Sequence, residues 1–364
     1  MDDKVRATLV RVSNKALLAW EIDEMYNLAS TAGYEIVAHV TQVRQIEDSR
    51  YSLGSGKLSE LISVARDTKS EIIIFGSNLT GTQFNNLESK LNIEVLDRTM
   101  LIIDIFSKHA ISNEGKLQVE LMYKKKMFPR IMGQGKHMSQ QGGGGTGGGG
   151  ARRGIGEKKT ELDRRTIRTE IRDLEKRIDK LAKERNLRRN KRTRNQIKNV
   201  SLVGYTNAGK STIMNALTNA DTLVKDALFA TLDPISRKLF FNDGSMALLT
   251  DTVGFISNLP HEFVKAFRST LEETVFSDLI LHIVDGSSPV SHEQFNVVNS
   301  VLESIGVKDT PIITVINKED KDIFEFIPRS KHMVVVSAKT GRNIDKLKKL
   351  IHKLLFVNNL DNAD

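Results

Sequence analysis

Residues 204–211 carry the most chemically specific spacing in this sequence, because they fit the phosphate-loop pattern G-x-x-x-x-G-K-S. A strand-like run precedes them and a helix-like run follows. In that setting backbone N–H groups converge on phosphates, Lys210 reaches the β- and γ-phosphates, and the Ser211 hydroxyl joins a Mg²⁺ shell. The predicted nucleotide-binding residues here are Gly204, Tyr205, Thr206, Asn207, Ala208, Gly209, Lys210, Ser211 and Thr212.

Two later segments contain the residues that a γ-phosphate and its metal ion require. Asp251 follows an apolar run and can hold Mg²⁺ through water, and the N–H of Gly254 can bind the γ-phosphate. Thr231 lies in an earlier segment that begins at Phe229, where it would complete the Mg²⁺ shell when GTP is bound. We therefore predict metal ligation by Ser211, Thr231 and Asp251, nucleotide contact by Phe229, and catalysis by Lys210, Thr231 and Gly254.

The run Asn317-Lys318-Glu319-Asp320 predicts which base is bound. A carboxylate at Asp320 can accept hydrogen bonds from guanine N1–H and from the 2-amino group, whereas adenine offers neither donor there. A site built around such bonds rejects a ligand that lacks them. Asn317 and Lys318 belong to the same predicted contact, and a backbone N–H within Ser337, Ala338 and Lys339 would reach the guanine oxygen. The predicted ligands are therefore GTP and GDP.

Hydrolysis is predicted to be slow in the isolated protein. Phe255 follows Gly254 at the position where Ras-like enzymes have the glutamine that orients the attacking water, and phenylalanine has no polar atom for this role. A partner or a bound cation would then have to assist. Asn207 resembles the potassium-coordinating asparagine of cation-activated GTPases, and the alternative interpretation is a structural turn residue.

These residues lie at the ends of predicted strands, as a parallel α/β sheet requires. Strand-like runs at 199–203, 246–250, 279–284, 311–316 and 333–336 alternate with helical stretches near 261–275, 292–305 and 343–355. The alternation predicts a Rossmann-like P-loop GTPase domain over residues 198–357, followed by a tail at 358–364.

Residues 1–112 form a separate predicted α/β domain. Strand-like runs at 4–10, 35–43, 71–75 and 93–96 alternate with helical runs at 15–32, 58–65 and 83–91, which indicates a parallel sheet. Residues 54–57, Gly-Ser-Gly-Lys, lie between a strand and a helix. They are either a second anion-binding loop or an ordinary turn and helix start, since they lack the first glycine of a P-loop.

Residues 113–197 are predicted to form a long antiparallel helical arm. A helix at 114–127 is expected to end at Pro129. A second helix, from 160 to about 195, has apolar residues at spacings of 4, 3, 4 and 3, namely Ile167, Ile171, Leu174, Ile178 and Leu181. The glycine-rich segment 142–156 joins the two helices and is either a passive linker or a loop that becomes ordered on a partner.

The arm also carries the basic charge of the chain. Residues 158–198 contain 17 Lys or Arg against 7 Asp or Glu, a surplus that exceeds the net charge of +9 for all 364 residues. A solvated coiled-coil face is one interpretation. The cluster at 188–192, Arg-Arg-Asn-Lys-Arg, lacks the alternating signs of such a face, so contact with nucleic-acid phosphates is favoured.

The composition excludes several other classes of protein. With no cysteine, the chain has no disulfide, no Cys-based zinc site and no thiol nucleophile. No apolar run approaches the roughly 20 residues that a membrane-spanning helix needs, and no signal peptide begins the chain. We therefore expect a cytoplasmic protein without a membrane span, and a monomer.

Taken together, the motifs resemble those of the HflX family of translational GTPases. The resemblance rests on residues 204–211, 229–234, 251–255 and 259–261, and upstream on 54–57, 95–99 and 161–165. It implies a protein that binds the large ribosomal subunit and its RNA, has GTPase activity stimulated by the ribosome, and in some members splits stalled or idle ribosomes under stress. The chain departs from the family at Ile155, where proline is usual.

Two other functions are compatible with the same residues. One is an RNA-binding ribosome assembly factor in which GTP is a conformational switch or structural ligand and is not turned over. The other is an ATP-dependent RNA remodeller that acts through the N-terminal domain.

Overall fold

The computed structural model of the chain describes residues 4–14, 19–140, 150–194, 197–219, 228–229, 233–257, 263, 273–322 and 330–357, without the side chains of 131–163 and 188–196. The chain forms two compact units. The first comprises residues 1–108 and 116–179, and the second comprises residues 109–115 and 180–364. Each unit contains its own β-sheet. No helix among the described residues is both long enough and apolar enough to cross a lipid bilayer.

Four strands form a parallel sheet in the first unit, which confirms the predicted α/β class. They are β1 (Val5–Ser13), β2 (Tyr34–Val43), β3 (Ile72–Phe75) and β4 (Glu94–Asp97), in the spatial order β2-β1-β3-β4. Every residue of β3 is buried, as is typical of a central parallel strand covered on both faces. The helices are α1 (Ala19–Ala32), α2 (Ser55–Asp67), α3 (Gly81–Leu91) and α4 (Arg98–His109).

Helix α4 was not predicted from the sequence. Eight of its twelve residues are buried, so its apolar residues are nearly continuous and show no helical period. Asp97, at the end of β4, starts this helix: its fully buried carboxylate accepts hydrogen bonds from the N–H of Met100 at 2.9 Å and of Leu79 at 3.0 Å, and it pairs with the ammonium group of Lys126. One carboxylate therefore holds three separate segments of the first unit together.

The arm consists of α5 (Asn113–Gln140) and α6 (Gly150–Arg194), and the two helices run antiparallel. Lys124 pairs with Glu170 at 2.9 Å, and the Arg168 guanidinium lies 5.3 Å from the Phe128 ring centre, so residue numbers rise along one helix as they fall along the other. The predicted apolar seam is shielded from solvent, with Leu174 buried and its neighbours at the same spacing half-buried. This packing stabilises the arm.

The prediction that α5 ends at Pro129 was wrong, because the helix continues to Gln140 with the proline inside it. A proline in a helix removes one hydrogen bond and displaces a carbonyl. Here packing on α3 compensates. The Arg130 carbonyl accepts a hydrogen bond from the Asn85 amide at 3.0 Å, and the Arg130 guanidinium lies 4.2 Å from the Phe84 ring centre. A Cβ at Gly81 would lie 2.5 Å from the Pro129 carbonyl oxygen, so glycine allows this close approach.

Helix α6 begins at Gly150, ten residues before the predicted start, and includes part of the segment predicted as a loop. Glycine inside a helix costs about 1 kcal/mol relative to alanine. No contact in the described part of the chain accounts for this extension. Of the predicted glycine-rich segment 142–156, residues 150–156 belong to α6, and residues 142–149 lie outside the described residues.

The second unit contains a six-stranded sheet in the order β10-β9-β8-β5-β7-β6, parallel except for its last strand. The strands are β5 (Lys198–Gly204), β6 (Ile235–Phe240), β7 (Met246–Asp251), β8 (Leu279–Asp285), β9 (Ile312–Asn317) and β10 (Met333–Val335). The described helices are α7 (Lys210–Thr218), α8 (Ser291–Ser304) and α9 (Ile344–His352), the last continued by a π-helical turn at Lys353–Val357. The predicted helix at 261–275 lies mostly outside the described residues.

Strand β6 was missed by sequence reasoning because an edge strand has few apolar positions. Of its six residues only Leu239 is buried. The buried centre of the unit lies around β5, which pairs with β7 on one side and β8 on the other. The carboxyl ends of β5, β7, β8 and β9 therefore come together at one edge of the sheet, where ligands of open α/β sheets bind.

Asp97→Ala should destabilise the first unit by about 3 kcal/mol, because it removes the acceptor of two buried N–H groups and the partner of Lys126. Urea unfolding measures the change in the free energy of unfolding. It is followed by the fluorescence of Trp20, which lies in α1 and is the one tryptophan of the chain. Glu60→Ala is the matched control: it removes a more exposed ion pair with Lys57 and should cost at most about 1 kcal/mol. Equal midpoints for both variants would show that Asp97 does not hold the unit together.

Candidate nucleotide-binding site

The loop between β5 and α7 forms a tight turn around the start of the helix. Gly209, the residue before α7, has φ +93°, a conformation that favours glycine. A Cβ at this position would lie 2.2 Å from the Asn317 Nδ2. Only glycine therefore satisfies both the backbone conformation and the close contact. The resulting turn exposes backbone N–H groups at a helix N-terminus, which can bind phosphate.

The ammonium group of Lys210 is buried in this loop. Its Nζ donates hydrogen bonds to the carbonyl oxygens of Gly204 at 3.2 Å and Tyr205 at 3.0 Å. Burial lowers the pKa of Lys210 to about 8, and the nearby Asp251 carboxylate partly opposes that effect. A buried cation of this kind gains much from a neighbouring anion, because charges interact strongly where water is excluded. Phosphate oxygens would supply that anion.

Two oxygen-bearing side chains meet beside the loop. The Ser211 hydroxyl donates to the Asp251 Oδ2 at 2.6 Å, and Asp251 is fully buried at the end of β7. Both are hard oxygen donors of the kind Mg²⁺ prefers. Among the described residues, no three His, Cys, Asp or Glu side chains cluster as a metal site. Thr231 lies outside the described residues, and Phe229 is buried with φ +56°.

Residues 251–257 lie against the P-loop and are buried throughout. The Thr252 hydroxyl donates to the Leu202 carbonyl at 2.6 Å, and the backbone of Phe255 exchanges hydrogen bonds with Gly204 and Thr206 at 3.1 and 2.8 Å. A Cβ at Gly254 would lie 2.9 Å from the Lys210 Nζ. A side chain at position 254 would therefore collide with the buried ammonium group.

Asn317 connects the base-recognition loop to the P-loop. Its Nδ2 donates to the Ala208 carbonyl at 3.0 Å, and its Oδ1 accepts from the Ala338 N–H at 3.1 Å. The predicted contacts are one between Asn317 and the base, and one between a backbone N–H within 337–339 and the guanine oxygen. In the structure both of these groups have a partner within the protein. The Ala338 N–H donates to the Asn317 Oδ1, and one of the two amide hydrogens of Asn317 is bonded to the Ala208 carbonyl of the P-loop.

The carboxylate of Asp320 is exposed and oriented by a neighbour. The Ser337 hydroxyl donates to its Oδ1 at 2.7 Å, and this hydrogen bond holds the pKa of Asp320 below its usual value. The group therefore stays an ionised acceptor at neutral pH. Lys318, with φ +68°, pairs with Asp285 at 2.6 Å, and Lys339 is exposed beside this loop.

Two contacts of the site were missed by the sequence analysis. The Tyr205 hydroxyl, 7 % exposed as a residue, accepts a hydrogen bond from the Ser257 N–H at 2.7 Å. Asp233 accepts hydrogen bonds from the N–H groups of Ile111 at 3.0 Å and Ser112 at 2.7 Å, at the start of α5. Partners 52 and 121 residues apart leave no local pattern that could have predicted either contact.

The short glycine segment of the first unit forms a helix start. The Gly54 N–H donates to the Gln42 Oε1 at 2.9 Å and precedes α2, while the Lys57 ammonium binds both carboxylate oxygens of Glu60. With the lysine engaged on its own helix, these contacts favour the turn interpretation of residues 54–57.

Comparisons with known proteins agree with this geometry. Family models match residues 20–107 as "GTP-binding GTPase N-terminal", 109–192 as "GTP-binding GTPase Middle Region" and 199–318 as "50S ribosome-binding GTPase". The GTPase HflX of Caldanaerobacter subterraneus subsp. tengcongensis is 46% identical over 97% of this chain and 81% of its own. That of Escherichia coli is 38% identical over 90% and 77%. The fold is similar to that of SsGBP in complex with GDP, with a TM-score of 0.53 and 23% identity over 96% of this chain and 98% of the other.

Asp320→Asn should change base preference from guanine to xanthine, since an amide can donate to the xanthine 2-oxo group where the carboxylate accepted. Competition between GTP and XTP for a fluorescent nucleotide measures this directly. Asp322→Asn, an exposed neighbour outside the motif, is the matched control and should keep guanine preference. Unchanged preference for GTP in the Asp320 variant would refute this role.

Proposed function

The chain belongs to the HflX family of GTPases, and we propose that this GTP-binding, GTP-hydrolysing enzyme acts on the large ribosomal subunit. In this proposal residues 1–112, 113–197 and 198–357 are an N-terminal domain, an RNA-contacting arm and a GTPase domain of a cytoplasmic monomer. The protein separates stalled or idle ribosomes under stress, and its nucleotide state controls how tightly it binds them. The observation that carries the proposal is the basic arm, where residues 158–198 contain 17 Lys or Arg against 7 Asp or Glu.

The residues at the site divide the work of binding and hydrolysis. Backbone N–H groups of the P-loop and the Lys210 ammonium hold the β- and γ-phosphates. Ser211, Asp251 and Thr231 hold Mg²⁺, which neutralises charge on the phosphates. The Gly254 N–H binds the γ-phosphate, and Asp320 accepts from guanine. Ser211 and Asp251 support this assignment because their oxygens already lie 2.6 Å apart.

The position of Phe255 supports slow hydrolysis without a partner. Its side chain is 2 % exposed and therefore packs in the interior of the domain. It brings no polar group to the attacking water, so help has to come from the ribosome or from a cation. Asn207 is the proposed potassium ligand: it is exposed and has φ +61° in the P-loop.

Arginines on α6 form the proposed RNA-contacting surface of the arm. Arg165, Arg168 and Arg172 repeat at intervals of three and four residues, so they share one face of the helix, and all three are exposed. Ile171 and Thr169 lie between them. Guanidinium groups in such a row can each bind a backbone phosphate. The cluster at 188–192 remains part of the proposal, although its side chains lie outside the described ones.

The start of α5 is held by the segment that would sense GTP. The Asp233 carboxylate accepts two backbone N–H groups and the Ser112 hydroxyl, which in turn accepts the Gly115 N–H at 2.9 Å. Glu114, the second residue of the helix, pairs with Arg185 of α6. Only Leu232 separates Thr231 from Asp233. A displacement of Thr231 on GTP binding would therefore be transmitted through Asp233 to the start of α5.

Ribosomes should accelerate turnover on the order of tenfold or more, because the isolated site lacks a side chain that orients water. Multiple-turnover phosphate release, with and without isolated large subunits, measures this. Replacing potassium by sodium in the same assay should slow turnover if Asn207 holds the cation. Ribosome binding without accelerated turnover would favour an assembly factor, and ATP binding that survives Lys210→Ala would favour an RNA remodeller.

Reversing charge at Arg165, Arg168 and Arg172 to glutamate should weaken binding to the large subunit while GTP affinity is kept. Removing one arginine–phosphate interaction should lower the slope of log K against log salt by roughly 0.7–0.9. The matched control reverses Lys346, Lys348 and Lys349 on α9, which changes net charge equally on the GTPase domain. If both triple variants show the same decrease in slope, the arm makes no specific interaction with RNA.

Asp233→Asn should reduce the difference in ribosome affinity between the GTP-analogue and GDP states by roughly five- to tenfold, because the weaker acceptor no longer anchors α5. Sedimentation of large subunits with each nucleotide measures both affinities. Asp243→Asn, which alters a similar hydrogen-bonded carboxylate at the β6–β7 turn, is the control. An undiminished difference would mean that Asp233 does not connect nucleotide to arm.

A further inference from the structure

We propose that the hydroxyl group of Tyr205 is a positioning group for GTP hydrolysis, because it fixes the segment 251–257 that places the Gly254 backbone at the γ-phosphate. The residue lies in the P-loop at a position where the loop pattern accepts any side chain. Its proposed role therefore belongs to this tyrosine and not to the pattern. The inference concerns the GTPase reaction itself and does not depend on the ribosome.

Tyr205 contacts the reaction site through three separate groups. Its carbonyl accepts from the Lys210 Nζ at 3.0 Å and from the Ala208 N–H at 3.3 Å. Its backbone lies in a parallel bridge opposite Phe255, and its side-chain oxygen accepts from the Ser257 N–H at 2.7 Å. One residue thus holds the catalytic lysine and the segment opposite it in a fixed relation.

The hydroxyl acts at the downstream end of that segment. Upstream, Asp251 is held by the Ser211 hydroxyl, and Thr252 is held by the Leu202 carbonyl. Gly254 lies between these two contacts and the contact at Ser257. Directly after Gly254 the backbone of Phe255 is paired with Gly204 and Thr206, and the Tyr205 hydroxyl adds a further anchor two residues downstream, which limits how far the segment can move as a whole.

The clearance at Gly254 shows how little displacement the site tolerates. A Cβ there would lie 2.9 Å from both the Lys210 Nζ and the Thr206 Cγ2, so the backbone fits against these groups with no room for a methyl group. Phe255 turns its side chain into the interior, so at Gly254 and Phe255 the segment can contribute to catalysis only through backbone groups. Such catalysis depends on preorganisation, since a donor displaced from the developing charge loses most of its effect.

Removing the hydroxyl removes the acceptor of the Ser257 N–H and leaves the ring in place. In Tyr205→Phe the Ser257 N–H loses the hydrogen bond to the phenolic oxygen in a buried position, and this loosens the downstream end of the segment. The turn of the P-loop at Gly209 does not involve this hydroxyl, so binding of a β-phosphate should be unaffected. The expected loss is specific to the state in which a γ-phosphate has to be held.

The test uses the full chain with Tyr205→Phe and measures three quantities. Single-turnover GTP hydrolysis should slow by roughly five- to tenfold. Affinity for a non-hydrolysable GTP analogue should fall by a similar factor while affinity for GDP stays unchanged. Hydrogen exchange should show faster exchange of the Ser257 amide, which reports directly that its hydrogen bond is absent.

Tyr34→Phe is the matched control, because it removes a phenolic hydroxyl bonded to Asp104 at 2.7 Å in the first unit. It should leave all nucleotide parameters unchanged. An equal fall in GDP and GTP-analogue affinity for Tyr205→Phe would overturn the proposal in favour of a general structural role. An unchanged hydrolysis rate with faster exchange at Ser257 would overturn it as well, since the segment would then be loosened without consequence.

Discussion

The arrangement of the nucleotide site depends on the burial of one ammonium group. Lys210 is 7 % exposed; its Nζ donates to two carbonyl oxygens, which carry only partial charge, and the Asp251 carboxylate offsets the effect of burial only in part. A cation in such surroundings is poorly compensated, as its lowered pKa reports. A multiply charged phosphate would compensate the positive charge of Lys210, so the free energy of nucleotide binding would be favourable at this site. The neighbouring loops follow from this need, because each brings a backbone group or an oxygen close to the same point.

The chemistry of the site could be read from the sequence, because a few residues at fixed spacing make it. The phosphate loop, Asp251 and Gly254 lie at strand ends that local apolar runs identify. The contacts that organise these loops were not readable. Asn317 holds the Ala208 and Ala338 loops together, and Tyr205 holds Ser257. Such contacts join residues distant in sequence, and spacing along the chain carries no information about them.

The fold shows the same division between local and tertiary causes. The two parallel sheets and the antiparallel arm were predicted because their apolar periods are regular. Helix α4 and strand β6 were missed, the first because it is too uniformly buried and the second because it is too exposed. The prediction that α5 ends at Pro129 was wrong, because packing against Gly81 and Asn85 keeps α5 helical through the proline. Tertiary contacts decided each of these cases.

The way the two units alternate along the chain has a consequence for biosynthesis. Residues 109–115 belong to the second unit, yet they leave the ribosome before residues 116–179, which complete the first. The carboxylate that receives them, Asp233, is made more than a hundred residues later. At about 5–20 residues per second, the start of α5 waits for seconds before its anchor exists. During that interval the residues of the first unit are complete, so this unit can fold before the start of α5 acquires its anchor.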